Sequence, residues 1–195
     1  MKARVRSAGQ SQAGRHARKS LKLRAAGLLI ALLCYSTLAL TLRSEGRPSP
    51  ASDGLPQRTE LQMWEMINAD RTAPSTMEET KGRARPLQWD DKLAEVARQH
   101  SEDMAQNGFF SHQGSDGSNP ALRTSKAGIQ WRCTGENIAK VSDVAQAERL
   151  FMDEPKFQEN HRSNILKPEY TRVGVGIARG RDGSLYITQE FAEIR

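Results

Sequence analysis

The stretch VGVGIARGRDGSLYITQEF, residues 173–191, decides the fold class because its apolar period is two, unlike the helical spacing upstream. Val173, Val175 and Ile177 alternate with Gly174 and Gly176, Arg181-Asp182-Gly183 supplies a turn, and 185–191 returns as a second strand. The spacing predicts an antiparallel hairpin. The glycine face of its first strand bears no side chains, so a helix or the floor of a cleft is expected to pack tightly against it. These glycines do not form a dinucleotide-binding loop. The glycine after Gly176 is Gly180, one place too late, and the segment reads as strand.

Upstream, the apolar period is helical. Leu61, Trp64 and Ile67 predict an amphipathic helix over 60–70, and a loop with Pro74, Gly82 and Pro86 follows. Over 91–106, Leu93, Val96, Ala97, His100 and Met104 step by three and four, and Asn107-Gly108 ends the run. His100 therefore lies on a buried stripe and is expected to be a hydrogen-bonded core histidine. A third helix is expected over 144–154, where the stripe through Val144, Ala147 and Phe151 arrives at Glu154 before Pro155 closes it. A carboxylate on a core-facing stripe needs a partner.

The first quarter of the chain is different in kind. Residues 1–24 hold eight Lys/Arg and no acidic residue, and 25–42 run as AAGLLIALLCYSTLALTL without a charge. A basic flank before such a run predicts either a signal anchor or a cleavable signal peptide, with the basic segment left in the cytoplasm and the remainder delivered across the membrane. Residues 43–58, rich in Ser, Pro and Gly, read as a flexible linker, leaving 59–195 as the folded domain. The net charge of +6 belongs to the N-terminal segment, since from Ser44 onward 20 basic residues stand against 23 acidic ones. That body has no positive field with which to gather phosphates, which excludes nucleic acid as a partner. The two cysteines, Cys34 and Cys133, fall in different regions, so the domain is expected to fold without an internal disulfide.

Six short strings then occur in a telling order: Phe109-Phe110-Ser111-His112, Asp116-Gly117 with Arg123 beyond, Gly135-Glu136-Asn137-Ile138-Ala139, His161-Arg162-Ser163-Asn164-Ile165-Leu166, Val173-Gly174-Val175-Gly176 and Thr188-Gln189-Glu190-Phe191. Together they resemble the CAP superfamily, also called SCP, in its bacterial form, from about Leu61 to Phe191. The resemblance implies an α+β fold, a three-layer α-β-α sandwich around a central antiparallel sheet, with a cleft marked by two histidines and two acidic residues. His112, Glu136 and His161 take three of those places. Glu154 takes the fourth, with Asp153 and Glu159 close by and the inward stripe preferring Glu154. The chain departs from the pattern at Phe151, where tryptophan is common, and at Glu159-Asn160, just before His161. It also lacks the disulfides of the animal and plant members.

Two imidazoles and two carboxylates in one cleft suit a divalent metal such as zinc, held by His112, His161, Glu136 and Glu154. They equally suit a network in which each histidine donates to a glutamate. The resemblance implies a binding module for a lipid or cell-envelope ligand. The competing expectation is a metal- or acid/base-assisted hydrolase in the same cleft. The chain has no H-E-x-x-H, no G-x-S-x-G and no P-loop, and its lone domain thiol, Cys133, reads as a small buried hydrophobe. Binding is the expected role.

Overall fold

The computed structural model describes residues 58–194. The basic segment, the apolar run and the linker up to residue 57 lie outside the described residues. Among the described residues no helix is long and apolar enough to cross a membrane.

The elements run α1 (Arg58–Thr72), α2 (Met77–Thr80), β1 (Gln88–Trp89), α3 (Asp91–Asn107), α4 (Pro120–Lys126), β2 (Trp131–Val141), α5 (Val144–Met152), α6 (His161–Leu166), β3 (Arg172–Arg179) and β4 (Leu185–Ile194). The four strands lie in the order β1-β3-β4-β2. The hairpin β3–β4 pairs antiparallel, as its alternation predicts, and β2 pairs antiparallel with the far side of β4. The expected central antiparallel sheet needs one correction. Its edge strand β1 runs parallel to β3, because Gln88 N donates to Thr171 O at 3.0 Å and Asp90 N to Val173 O at 2.9 Å. With β3 on one side and β2 on the other, β4 has both ladders filled.

The two faces of the sheet bury different things. On one face α1, α5 and α6 close over Val173, Val175, Ile187 and Phe191, contributing Met63, Ile67, Val144, Ala147, Phe151 and Ile165 to the larger core. On the other lies α3, and here the glycines of β3 find their reason. A Cβ on Gly174 would stand 2.0 Å from Ala94 N, and one on Gly176 2.0 Å from Arg98 N. The bare face of the hairpin is the seat of a helix backbone.

Caps and buried charges fix the helices in place. Asp90 accepts from the amides of Lys92 and Leu93 at the start of α3, and Gly108, at φ +69°, turns the chain out of its end. Arg71, buried at the end of α1, donates to the carbonyls of Arg85, Ile165 and Lys167 at 2.6, 2.6 and 3.0 Å. One guanidinium thereby satisfies the carbonyls where α6 ends and ties α1 to α6. Burial draws its pKa down to about 10, which still leaves it charged at neutral pH.

The third helix is shorter than its stripe predicts. It ends at Met152, and Glu154 lies in the bend beyond. Pro155 disfavours helical backbone at the residue before it, so the helix cannot carry Glu154 to its end. The buried carboxylate on the α5 stripe is Glu148, one position after Ala147 and three before Phe151.

Candidate functional site

The first half of the site is assembled by the loop after α3, by α4 and by the middle of β2. His112 sits in a bend of that loop with its ring half exposed, and its Nδ1 lies 2.6 Å from Glu136 Oε1. Glu136 projects from β2 with a side chain only 1% exposed. Arg123, on α4, donates Nη2 to Glu136 Oε2 and Nη1 to the carbonyls of His112 and Ser118 at 3.0 and 3.1 Å. A single guanidinium therefore holds both the carboxylate and the main chain of the histidine it orients.

Behind this pair stands Glu190 on β4, directly opposite Glu136 in the ladder and fully buried. Two carboxylates this close cannot both ionise. Burial, and then the charge of Glu136, push Glu190 well above the usual carboxylate range, so it holds a proton beside the ionised Glu136. Burial alone would raise Glu136 too. The hydrogen bond from His112, the proton-bearing carboxyl of Glu190 and the charge of Arg123 overcome it and hold Glu136 below its ordinary value. His100 completes the buried layer: its Nε2 lies 3.0 Å from Ser111 O and 3.8 Å from Glu136 Oε2. Because a carbonyl only accepts, Nε2 carries the hydrogen. Burial draws its pKa down, as expected of a core histidine.

The second half is more local. His161 opens α6, and Glu154 grips it twice, with Oε1 2.7 Å from Nδ1 and Oε2 accepting its backbone N–H at 2.7 Å. Asn160 caps α6 reciprocally with Ser163, and Asn137 on β2 donates to the carbonyl of His161 at 3.1 Å. The ring of Phe151 lies 4.8 Å from the imidazole, between centroids.

His112, Glu136, Glu154 and His161 line one cleft of about 740 Å³. Of the three acids near the second histidine, Glu154 makes the bond. Glu159 is exposed on the wall of the cleft, and Asp153 caps α5 and faces the groove between α1 and α5. The two glutamates stand behind the imidazoles as acceptors for Nδ1–H, which leaves Nε2 as the ring atom free for a ligand. Among the described residues no three His, Cys, Asp or Glu side chains converge as a metal cage.

Sequence reasoning gave no role to three residues of this architecture. Arg123 appears in a motif string, but its reach to Glu136 depends on how α4 docks. Glu190 and Gln189 belong to a polar run, Thr188-Gln189-Glu190, and the signal available was that such a run sits in a strand expected to be buried.

An α-β-α sandwich whose cleft presents two carboxylate-held histidines defines an SCP-type domain. The chain belongs to the CAP family, the cysteine-rich secretory protein family, which it matches over residues 64–191. It is 30% identical over 189 residues to the uncharacterized protein YkwD of Bacillus subtilis, covering 96% of this chain and 66% of that one. It is 36% identical over 106 residues to the uncharacterized membrane protein YlbC of the same organism, covering 54% and 28%. Among solved structures it resembles an extracellular SCP-domain protein of Bacillus anthracis, with a TM-score of 0.54 and 28% identity over 69% of this chain and 40% of that one. The chain thus spans about two thirds of YkwD and much less of the other two.

Proposed function

We propose that the protein is an exported binding module whose His/Glu cleft holds a cell-envelope ligand. Export is supported by the basic segment and charge-free run of residues 1–42, and by similarity to an extracellular and a membrane protein. The observation that carries the binding reading is the paired arrangement of the histidines. Each Nδ1 is committed to a glutamate, so each ring is locked with Nε2 left for a partner in an open cleft. The serine and threonine hydroxyls of the cleft favour binding over nucleophilic chemistry. Thr134 donates to Phe191 O and Ser163 to Asn160 O, so neither is paired with an imidazole that would activate it.

A divalent cation such as zinc fits this donor set only in part. His112 and His161 would be its protein ligands, with Glu136 and Glu154 fixing the tautomers behind them, and water or the bound ligand would complete the shell. Bound there, the cation would supply a Lewis-acidic anchor for an oxygen of the ligand. The test is calorimetric titration of the full chain with zinc, together with capture of envelope fractions. His112→Ala and His161→Ala are each expected to weaken binding at least tenfold. A chain that takes up neither metal nor any envelope component overturns the reading.

A further inference from the structure

The loop between α5 and α6 presents an aromatic ring to the cleft under conditions that packing does not explain. Phe157 lines the cleft, yet 71% of it is exposed. Its backbone lies in the left-handed region at φ +61°, which is unfavourable for a side chain with a Cβ and more so for a bulky one. Both costs fall on one residue. The loop that imposes them is tied at its base: Glu154 binds the ring and backbone of His161, and Asn160 Nδ2 donates to Pro155 O at 2.8 Å. Held at both ends, it fixes Phe157 on the wall of the cleft that His161 also lines. Strain and exposure concentrated on a pre-positioned residue at a cleft point to contact with a ligand.

The other walls say what kind of ligand. Around Phe157 the cleft offers Gln158, the imidazoles of His112 and His161, and the carboxylates of Glu154 and Glu159. These groups hydrogen-bond hydroxyls and amides. An acyl chain would need a continuous apolar wall, and this one is broken by polar side chains throughout. A flat aromatic ring beside hydrogen-bonding groups matches a ligand with one apolar face and polar edges, which is the chemistry of a pyranose ring. We infer that Phe157 is the stacking platform for a sugar ring of an envelope glycan, the polar groups of the cleft binding its hydroxyl and amide substituents. This inference rests on the binding reading above and adds the ligand class and the residue that selects it.

The experiment measures binding of the full chain to soluble oligomers of N-acetylglucosamine, with phosphatidylglycerol vesicles as the lipid arm and the melting temperature read in parallel. Wild type is expected to bind the oligosaccharide and not the vesicles. Phe157→Trp keeps that affinity within a few-fold, and Phe157→Ala loses about tenfold. Phe157→Gly is the decisive variant, because it relieves the left-handed strain while removing the ring. It is expected to raise the melting temperature while losing at least the tenfold in binding that Phe157→Ala loses, an opposition that a residue serving only the fold would not produce. Glycan binding that survives Phe157→Ala overturns the role of Phe157 and leaves the binding reading standing. Binding of vesicles in place of glycan overturns the ligand class. Binding of neither, nor of any envelope fraction, removes the binding reading itself.

Discussion

A carboxylate that grips an imidazole from behind does two things at once: it selects the tautomer, and it aims the remaining nitrogen. Glu136 and Glu154 do this by different means. Glu136 is buried and braced by Arg123, whereas Glu154 is partly exposed and holds the His161 backbone as well as its ring. Glu154→Gln keeps the shape but removes one of its two acceptor oxygens, so either the ring or the backbone of His161 loses its partner. Glu159→Gln alters a wall residue that holds no histidine. We expect zinc affinity to fall about tenfold in Glu154→Gln and to stay within twofold in Glu159→Gln, read by calorimetric titration. A larger loss at Glu159 would transfer the role to that residue. His112, Glu136 and His161 were legible in the sequence because each sits inside one of the short strings that carry the family resemblance. Arg123 and Glu190 were not, because one depends on the docking of α4 and the other on the β2–β4 register. No local pattern encodes either.

At the scale of elements, the hairpin was the most readable part of the chain and the α5 boundary the least. Period two with glycine on one face implies a partner that comes too close for side chains, and α3 supplies it by laying its backbone against β3. Neither glycine is at a position that needs unusual φ; the requirement is space alone. Gly176→Ala would push a methyl group to 2.0 Å from Arg98 N and 2.2 Å from Ala97 C, both backbone atoms that cannot rotate away. Separating α3 from the sheet would disturb Leu93 and Met104 together with the buried layer at His100. We expect Gly176→Ala to cost at least about 3 kcal/mol in urea unfolding, while Gly183→Ala, at a turn with open space around it but φ +83°, costs only about 1 kcal/mol. Comparable losses at the two sites would mean that α3 is free to shift outward. The α5 error has a different origin. Steps of three and four from Val144 lead both to Glu148, four places on, and through Ala147 and Phe151 to Glu154. Only the backbone restriction imposed by Pro155 separates the buried position from the bend.

For the molecule as a whole, burying several carboxyl groups makes stability depend on pH in a direction opposite to that of a protein held by surface ion pairs. Some of the buried acids are charge-compensated: Glu60 takes a bidentate contact from Arg98, with Nη2 to Oε2 at 2.8 Å, and Glu136 meets Arg123. Glu148 is not. It lies between α1, α5 and β4, facing Asp70 across the helix pair, with Gln189 Nε2 donating to its Oε2 at 2.9 Å. Burial, with the neighbouring charge of Asp70, pushes Glu148 up to about 8, so at neutral pH it holds a proton. A carboxyl group raised in the folded state binds more protons there than in the unfolded chain. Between its ordinary value and about 8, stability therefore falls as pH rises, and beyond that the loss is complete. Glu190, raised by the same kind of burial, adds to the fall. Glu148→Gln keeps an acceptor for Gln189 while removing the ionisation. Melting curves from pH 5 to pH 9 should decline for the wild type and decline less for Glu148→Gln, the variant melting several degrees higher at pH 9 and within a degree or two at pH 5. Parallel curves would show that the Glu148 carboxyl is already ionised in the folded chain at neutral pH, and that its burial between α1 and α5 carries no cost that pH can reveal.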